Sequence, residues 1–197
     1  MIEHKNHKLN RNEIILHPGD YFSSHERIII STILGSCISV ALIDSENKWG
    51  GMNHFLLPRM SVNNPDNILK DKNARYGVHA MELLINDLLK MGSRKNHLVA
   101  KVFGGGSVLN FDSPDKKNIG FFNIQFIFQF LTNERIPVTA SDTGEYCGRK
   151  VLFFPDTGKV LVKKLQSSKV ISDIKKEEMK AAIYLNKKKE EQKIILF

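Results

Sequence analysis

Short runs of apolar and β-branched residues, separated by small or polar residues, dominate the first third of the chain. Two such runs, residues 27–34 and 38–44, stand on either side of Gly35 and Ser36, and a third covers residues 49–57. Runs of this length and composition are typical of strands that are largely buried. The pattern therefore predicts three consecutive strands, with a tight corner of small residues between the first two.

The period of the apolar positions changes to that of helices further along the chain. Residues 75–91 place apolar side chains on one face of a helix, and Gly92 suits the C-terminal cap. Residues 118–133 are apolar nearly all round, which predicts a helix that is covered on more than one face. Four further strands are expected, the last two as a hairpin: residues 98–103, 136–140, 149–154 and 159–165.

These elements indicate an α/β (α+β) fold in which layered β-sheets are flanked by helices. Hydrophobic residues make up 42% of the 197 residues, enough for one core, so we expect a single domain over residues 1–168. Residues 1–13 are polar and are expected to form a loose arm, and residues 59–74 a surface loop beside the third strand. The Lys-rich extension, residues 169–197, is expected to form a helix capped by Ser172 or to be disordered.

Three consecutive glycines, Gly104 to Gly106, follow one of the predicted strands. Such a run can cradle a phosphate, but this one lacks the Lys and Ser/Thr of a P-loop and the spacing of a dinucleotide site. Glycine is also required where the backbone adopts positive φ or approaches a neighbour closely. This second interpretation is favoured.

Charge and hydropathy bear on the partners and the compartment. The formal net charge is +8, and residues 169–197 contribute eight Lys against five acidic residues. A solvated basic surface and tail is the preferred interpretation, so no nucleic acid is expected; a nucleic-acid site and an acidic protein partner are the alternatives. The chain begins without an apolar leader and has no stretch of roughly 20 apolar residues. We therefore expect a cytoplasmic protein with reduced cysteines and no membrane insertion.

The corner between the first two strands carries a candidate nucleophile. Cys37 directly follows Gly35 and Ser36, and His54 lies 17 positions further on, where a hairpin would return it beside the cysteine. An adjacent imidazole favours the thiolate, which attacks carbonyl carbons, and backbone N–H groups of the corner can stabilise the resulting oxyanion. His54 would then act as general acid and base. A cysteine protease, an amidase and a deamidase all fit this set, and so does a buried Cys37 beside a core histidine.

Other residues are expected to complete the site. A hydroxyl group upstream of the corner would orient the imidazole, as the third member of a triad does, and Ser31 and Thr32 are both candidates. Asn53 is assigned, together with the two small residues of the corner, to the substrate and oxyanion environment. Cys147 has no histidine near it in sequence and is interpreted as structural.

A series of motifs extends this pattern from Leu16 to Leu165. In chain order they are Pro18-Gly-Asp20, Thr32-Ile-Leu-Gly-Ser-Cys37, Gly50-Gly-Met-Asn-His54-Phe-Leu-Leu-Pro58, Arg75-Tyr-Gly77, Ala100-Lys-Val-Phe-Gly-Gly105, Asn118-Ile-Gly120 with Asn123, Asp142-Thr-Gly144, Gly148-Arg149 and Gly158-Lys-Val-Leu-Val-Lys163. Together with the spacing between the cysteine and the histidine, they resemble the CheD family of chemoreceptor glutamine deamidases.

The resemblance implies hydrolysis of the side-chain amide of selected Gln residues on methyl-accepting chemotaxis receptors. Carried over by position, Cys37 is the nucleophile and His54 the general base and acid. The family has a Thr six residues before the cysteine, where this chain has Ser31 followed by Thr32, so the choice of orienting residue stays open.

The resemblance also bears on fold, cofactors and partners. It implies a fold similar to that of the catalytic domain of the cytotoxic necrotizing deamidase toxins, with neither a metal nor an organic cofactor. CheC-type phosphatases, which dock on members of the family and can block their active site, are the implied protein partners. Phe122 stands where the family tends to have Arg. This departure and Ser31 leave room for an alternative function, an adaptor or regulator of a CheC-type phosphatase with little deamidation.

Overall fold

The computed structural model describes residues 1–57, 65–71, 73–108 and 119–191. This part of the chain contains ten strands and three α-helices. The strands are β1 (Ile2–Asn6), β2 (Arg11–Ile15), β3 (Tyr21–Ser24), β4 (Ile29–Leu34), β5 (Ile38–Asp44), β6 (Gly50–Asn53), β7 (Leu98–Gly104), β8 (Val138–Thr143), β9 (Gly148–Phe154) and β10 (Lys159–Leu165); the helices are α1 (Ala74–Lys90), α2 (Ile119–Asn133) and α3 (Ser168–Glu191). None of these helices is both long and apolar enough to cross a membrane.

The strands form two five-stranded sheets with a shared apolar core between them. The first sheet has the order β1-β2-β4-β9-β10 and the second the order β3-β6-β5-β7-β8. Neighbouring strands are antiparallel except for the pairs β2–β4 and β7–β8, which are parallel. Helices α1 and α2 pack against the opposite face of the second sheet, around a second apolar cluster. The predicted α/β fold of layered sheets with flanking helices is confirmed.

Strand β5 lies at the centre of this arrangement, with both of its faces buried. Ile38, Val40 and Leu42 belong to the apolar cluster beneath α1 and α2, whereas Cys37 and Ala41 belong to the cluster between the sheets. A strand covered on both faces needs no polar alternation, which explains its continuous apolar run. Because β4 belongs to the first sheet and β5 to the second, the corner between them is the point where the chain crosses from one sheet to the other.

The two helices on the second sheet match their predictions. Helix α1 buries Met81 and Leu88 on one face, and Gly92 follows it with a φ of 105°, the left-handed conformation of a C-terminal glycine cap. Helix α2 buries Phe126, whose ring meets that of Phe55 edge to face with centroids 5.8 Å apart. Each large side chain fully buried in this way contributes roughly 1.5–3 kcal/mol to stability.

The N-terminal residues do not form the loose arm that their polarity predicts. Strands β1 and β2 pair as an antiparallel hairpin, and β2 joins the first sheet through its parallel pairing with β4. The turn adopts positive φ at Asn10 and is held by the Leu9 N–H, which donates to Asn6 Oδ1 over 3.1 Å. Four of the five residues of β1 are exposed at the sheet edge, so this strand has no apolar face for a pattern to reveal.

The remaining differences concern the ends of elements. Strand β6 ends at Asn53, before the end of the predicted run, and β8 continues to Thr143, beyond the strand predicted over residues 136–140. Helix α3 begins at Ser168 rather than after a cap at Ser172. Strand β3 has no counterpart in the pattern because its four residues are mostly half-buried.

Of the surface loop predicted over residues 59–74, residues 59–64 and residue 72 lie outside the described residues. The rest of the prediction is wrong: Pro65–Lys70 form a short 3₁₀-helix whose Ile68 is buried in the apolar cluster beneath α1 and α2, and α1 begins at Ala74.

Candidate active site

The corner between β4 and β5 is supported from behind by the triple glycine. Gly105 N–H donates to the carbonyl of Cys37, and Gly106 N–H to the carbonyl of Gly35, each over 2.7 Å. Gly104 has a φ of 107°, and a Cβ added to it would lie only 2.1 Å from the Cys37 carbonyl oxygen. The interpretation of these glycines as positions of positive φ and close backbone approach is confirmed.

Asn123, on helix α2, joins the corner to the segment that follows His54. Its Nδ2 donates to the carbonyl of Ser36 over 2.7 Å, and its Oδ1 accepts from the N–H of Leu57 over 3.0 Å. All three corner carbonyls, those of residues 35, 36 and 37, are thereby bonded to the interior. The N–H groups of the same three residues remain available to a group on the other side.

The pairing of β5 with the segment after β6 brings Cys37 and His54 to the same face of the second sheet. Ala41 is opposite Met52, and an isolated bridge pairs Ile38 with Phe55. In this register the residue opposite His54 lies two positions from Cys37 along the chain. Opposite residues of an antiparallel pair, and residues two apart on one strand, project to the same side of the sheet. Both side chains are buried and face the first sheet.

Thr32 reaches the imidazole of His54 from the facing sheet. Its Oγ1 lies 2.7 Å from His54 Nδ1 and 2.8 Å from the carbonyl oxygen of Leu16. A carbonyl can only accept, so the single hydroxyl proton of Thr32 goes to Leu16 and the hydroxyl accepts from Nδ1–H. In the neutral ring the proton is therefore on Nδ1 and the free lone pair is on Nε2. This is the tautomer in which Nε2 can act as a general base.

The Nε2 atom of His54 is buried and has no hydrogen-bond partner among the described residues. Burial lowers the pKa of His54 to about 4, because the charged ring is poorly solvated there, although the negative charge of Glu178 acts in the opposite direction. At neutral pH the imidazole is consequently neutral and able to accept a proton.

Ser31 lies on the opposite face of β4 from Thr32, since side chains alternate along a strand. Its hydroxyl donates to Glu13 Oε1 over 2.5 Å, and Asn6 Nδ2 donates to the other oxygen of the same carboxylate over 2.5 Å. Burial raises the pKa of Glu13, but these hydrogen bonds outweigh it and leave the pKa below its ordinary value. Ser31 thus bonds within the first sheet, and Thr32 is the hydroxyl that the structure places on His54.

Asn53 is not brought to the corner, although the sequence assigns it to the oxyanion environment. Its Oδ1 accepts from the N–H of Val40 over 2.9 Å, and its Nδ2 points to the carbonyl of Ala80 on α1. Asn53 precedes His54 in the chain, and alternation turns its side chain to the helix face of the second sheet. It ties β5 and β6 to α1.

A carboxylate from helix α3 occupies the corner. Glu178 Oε1 accepts from the N–H groups of Gly35 (3.0 Å) and Cys37 (2.9 Å). Its Oε2 accepts from the N–H (3.0 Å) and the hydroxyl (2.6 Å) of Ser36. The side chain is only 3% exposed. The corner therefore binds a negatively charged group through three backbone N–H groups and one hydroxyl.

The thiol of Cys37 is protonated in this arrangement. Burial raises its pKa well above the ordinary value, and both the negative charge of Glu178 and a hydrogen bond with it raise the pKa further. A thiolate requires a nearby positive charge or donor, and here the nearest strong charge is negative. The site as folded holds a neutral thiol beside a neutral imidazole.

Sequence reasoning missed the roles of Glu178, Asn123 and Glu13. Each of them is polar, and the spacing of apolar residues in the sequence, on which the predictions rest, says nothing about the partner of a polar side chain. One signal was available for Glu178, because it lies between Ile174 and Ala182 at four-residue spacing. An acidic residue in the apolar stripe of a helix calls for a buried partner.

We predict that His54 makes the stability of the fold depend on pH. The unfolded chain takes up the histidine proton near pH 6.5, and the folded state only near 4, so the unfolded state binds more protons between these values. The free energy of unfolding should therefore fall as the pH decreases. Relative to His54→Gln, the wild type should lose on the order of 2 kcal/mol between pH 7 and pH 5. Denaturant titrations of both chains measure this, and equal losses would contradict it.

The class of protein that the fold and the site define is an α/β protein of two stacked sheets, with a buried thiol, a buried imidazole and an anion-binding corner between them. A family model described as CheD chemotactic sensory transduction matches residues 56–164, more than half of the chain. The chain belongs to the CheD family. The matched range begins just after His54, so this match does not itself include the thiol and the imidazole.

Relatives over most of the chain agree with this family. Proteins named probable chemoreceptor glutamine deamidase CheD 1 from Shewanella oneidensis and Dechloromonas aromatica are 49% and 47% identical over 157 and 151 residues, which cover 80% and 75% of this chain and 74% and 71% of theirs. A probable chemoreceptor glutamine deamidase CheD from Thiobacillus denitrificans is 45% identical over 161 residues, 82% of this chain and 78% of its own. The solved structure of the Bacillus licheniformis hypothetical protein YfiH covers 62% of this chain and 50% of its own with a TM-score of 0.35 and 13% identity.

Proposed function

We propose that this chain is a cysteine-dependent protein-glutamine deamidase that acts in the cytoplasm on chemotaxis receptors. The names of its relatives support the reaction and the substrate. The observation that carries the mechanism is that one buried face of the second sheet holds both the Cys37 thiol and the His54 imidazole, with the three N–H groups of the corner beside the thiol. The reaction converts a Gln side chain and water into Glu and ammonia.

The first half of the reaction forms a thioester. His54 Nε2 takes the proton of the Cys37 thiol as the sulfur attacks the amide carbon of the substrate. The electron pair of the C=O bond moves to oxygen, and the N–H groups of Gly35 and Cys37 stabilise that oxyanion, as they now do for one carboxylate oxygen. His54 then gives its proton to the amide nitrogen, the C–N bond breaks, and ammonia leaves.

The second half of the reaction hydrolyses the thioester. Water enters the position of ammonia, and His54 takes a proton from it as it attacks the same carbon. A second oxyanion forms on the same N–H groups and collapses with loss of the sulfur, which regains the proton from the imidazolium. The product is a glutamate side chain. Thr32 keeps Nδ1 protonated throughout, so Nε2 alternates between base and acid.

Mass spectrometry of a receptor cytoplasmic fragment incubated with the chain tests the proposed function. Each Gln converted to Glu adds about 1 Da to the peptide that contains it, because NH₂ is replaced by OH. We expect discrete sites to gain this mass in proportion to enzyme and time. A fragment that gains no mass beyond the enzyme-free control, at stoichiometric amounts of the wild type and of Glu178→Gln and Glu178→Lys alike, would contradict the deamidase proposal.

Exchange of the two neighbouring hydroxyl residues distinguishes the orienting residue. Thr32→Val keeps the shape of the side chain but removes the oxygen that lies 2.7 Å from His54 Nδ1. We expect kcat to fall by about 10- to 100-fold with little change in KM, because the neutral imidazole no longer favours the reactive tautomer. Ser31→Ala, its matched control, should lower stability through the Glu13 hydrogen bond yet leave kcat within about threefold. The reverse ranking of the two kcat values would assign the role to Ser31.

A further inference from the structure

One face of helix α3 covers the corner that carries Cys37. Ile174 and Glu178 are 6% and 3% exposed, and Ala182 packs against the apolar cluster between the sheets. These three residues recur every four positions, so they form one stripe along the helix. The side chain of Ile174 fills the space beside Gly35, where an added Cβ would lie 2.7 Å from its Cγ2. The helix therefore packs on the corner through a shaped apolar contact on the N-terminal side of the carboxylate.

The hydrogen bonds at the corner select a carboxylate over an amide. Each carboxylate oxygen of Glu178 accepts two hydrogen bonds from the corner, at distances between 2.6 and 3.0 Å. A carboxylate offers only acceptors, whereas the NH₂ group of a Gln in the same pose would face the N–H of Ser36, donor against donor. A glutamate is what the proposed reaction leaves at this corner. The side chain of Glu178 thus occupies the corner as the reaction product would.

We propose that α3 is an intramolecular product mimic, which closes the active site by placing Glu178 on the corner and must move away before a substrate Gln reaches Cys37. The description of Glu178 as product-like rests on the proposed deamidase function; the closure of the site does not. Helix and site belong to one chain, so the mimic competes at the high effective concentration of a tethered ligand. Activity then depends on how often the helix leaves the corner.

Closure explains two properties of the site together. The two N–H groups that would stabilise the oxyanion, those of Gly35 and Cys37, both donate to Glu178, and so does the N–H of Ser36 between them. The same carboxylate lies against the thiol and opposes its ionisation. Departure of α3 would free the donors, admit water and remove the negative charge at one time. A single movement would therefore convert a blocked, protonated thiol into an accessible nucleophile.

Charge reversal at Glu178 tests the closure without any receptor. Glu178→Lys puts an ammonium group, which has only donors, against the three N–H groups and the hydroxyl of the corner. Helix α3 can then no longer pack on the corner. Glu178→Gln keeps the size of the side chain and removes only the charge and one acceptor. The matched control is Glu177→Lys, since Glu177 is exposed on the adjacent position of the same helix. The rate of alkylation of Cys37 by iodoacetamide is measured by peptide mass spectrometry in the full-length chains at neutral pH.

We expect Cys37 to be alkylated at least about tenfold faster in Glu178→Lys than in the wild type, with a smaller rise in Glu178→Gln. The rise in Glu177→Lys should stay within about twofold, because the charge of Glu177 also raises the pKa of the thiol but less than that of Glu178 does. Thermal unfolding of each variant is recorded in parallel, and Glu178→Gln decides the question if Glu178→Lys does not fold. Rates within about twofold of wild type in both position-178 variants would overturn the proposal. So would an equal rise in Glu177→Lys, because it would show an effect of charge alone.

Receptor deamidation by the same chains separates this inference from the proposed function. Faster alkylation together with faster deamidation in Glu178→Lys supports both. Faster alkylation with no deamidation by any chain supports closure and removes the deamidase. Deamidation by the wild type with unchanged alkylation and rate in the variants overturns closure alone.

Discussion

A chain carrying Cys37→Ala is expected to convert receptor Gln to Glu at least about 10³-fold more slowly than the wild type. The sulfur forms the covalent bond that divides amide hydrolysis into two easier steps, and the methyl group of alanine can form no such bond. The loss should appear in kcat. Peptide mass spectrometry of the receptor fragment, sampled over time, measures it as the missing gain of about 1 Da per site.

Cys147→Ala is the matched control for this experiment. Its thiol is also buried, and its sulfur lies 3.7 Å from a carboxylate oxygen of Glu145 rather than at the corner. Burial raises the pKa of the Cys147 thiol, which makes it a poor nucleophile at neutral pH. This variant should deamidate like the wild type. Equal activity of Cys37→Ala and wild type would refute the thioester mechanism.

The adaptor alternative predicts a different outcome from the same chains. An adaptor of a CheC-type phosphatase does not need the thiol, so Cys37→Ala would bind the phosphatase and change its activity as the wild type does. Binding by both chains, with no deamidation by the wild type and none by the position-178 variants, would favour the adaptor. Deamidation by the wild type or by either of those variants would favour the enzyme.

The second large effect is expected for His54→Gln, which should reduce kcat by about 10²- to 10⁴-fold. Gln can still donate toward Thr32, so the packing of the site is largely kept, but it supplies no base to take the thiol proton. The fall should be concentrated in kcat rather than KM, because the imidazole acts on the reacting atoms and not on remote parts of the receptor. Steady-state deamidation rates at several receptor concentrations separate the two constants.

His17→Gln is a suitable control for this variant. His17 is a second imidazole close enough to act on the charge of His54, but it lies outside the corner. Its substitution should leave kcat within about threefold. A wild-type kcat in His54→Gln would show that the thiol reacts without this base. Equal losses in the two variants would indicate a general effect of charge or packing.

Elements with a strong apolar period were predictable because burial on one or two faces leaves a direct trace in the sequence. Helix α1 with its glycine cap, helix α2, the apolar run of β5 and the hairpin of β9 and β10 are all found as the pattern indicates. The N-terminal hairpin was not predictable from that trace. Its first strand is held by backbone hydrogen bonds to β2, and backbone groups are the same for every residue.

The candidate site divides in the same way. That Cys37 and His54 come close could be predicted, because strands that follow each other in sequence tend to pair. It was enough that the pairing puts both side chains on the same face of the sheet. The choice between Ser31 and Thr32 could not be predicted. Adjacent residues of a strand point to opposite faces, so only one can meet the imidazole, yet apolar residues surround both in sequence. The packing of β4 against the second sheet decides for Thr32 in the structure.

The sequence alone therefore determined the corner of small residues, the thiol, the imidazole spacing and the layered α/β class, because these depend on composition, period and neighbours along the chain. The tertiary structure decided what surrounds the corner. Glu178 lies 141 positions from Cys37, and its contact with the Cys37 N–H depends on the way α3 packs across the crossing between the sheets. Contacts at such separations arise from packing and donor geometry in three dimensions, which no local pattern records.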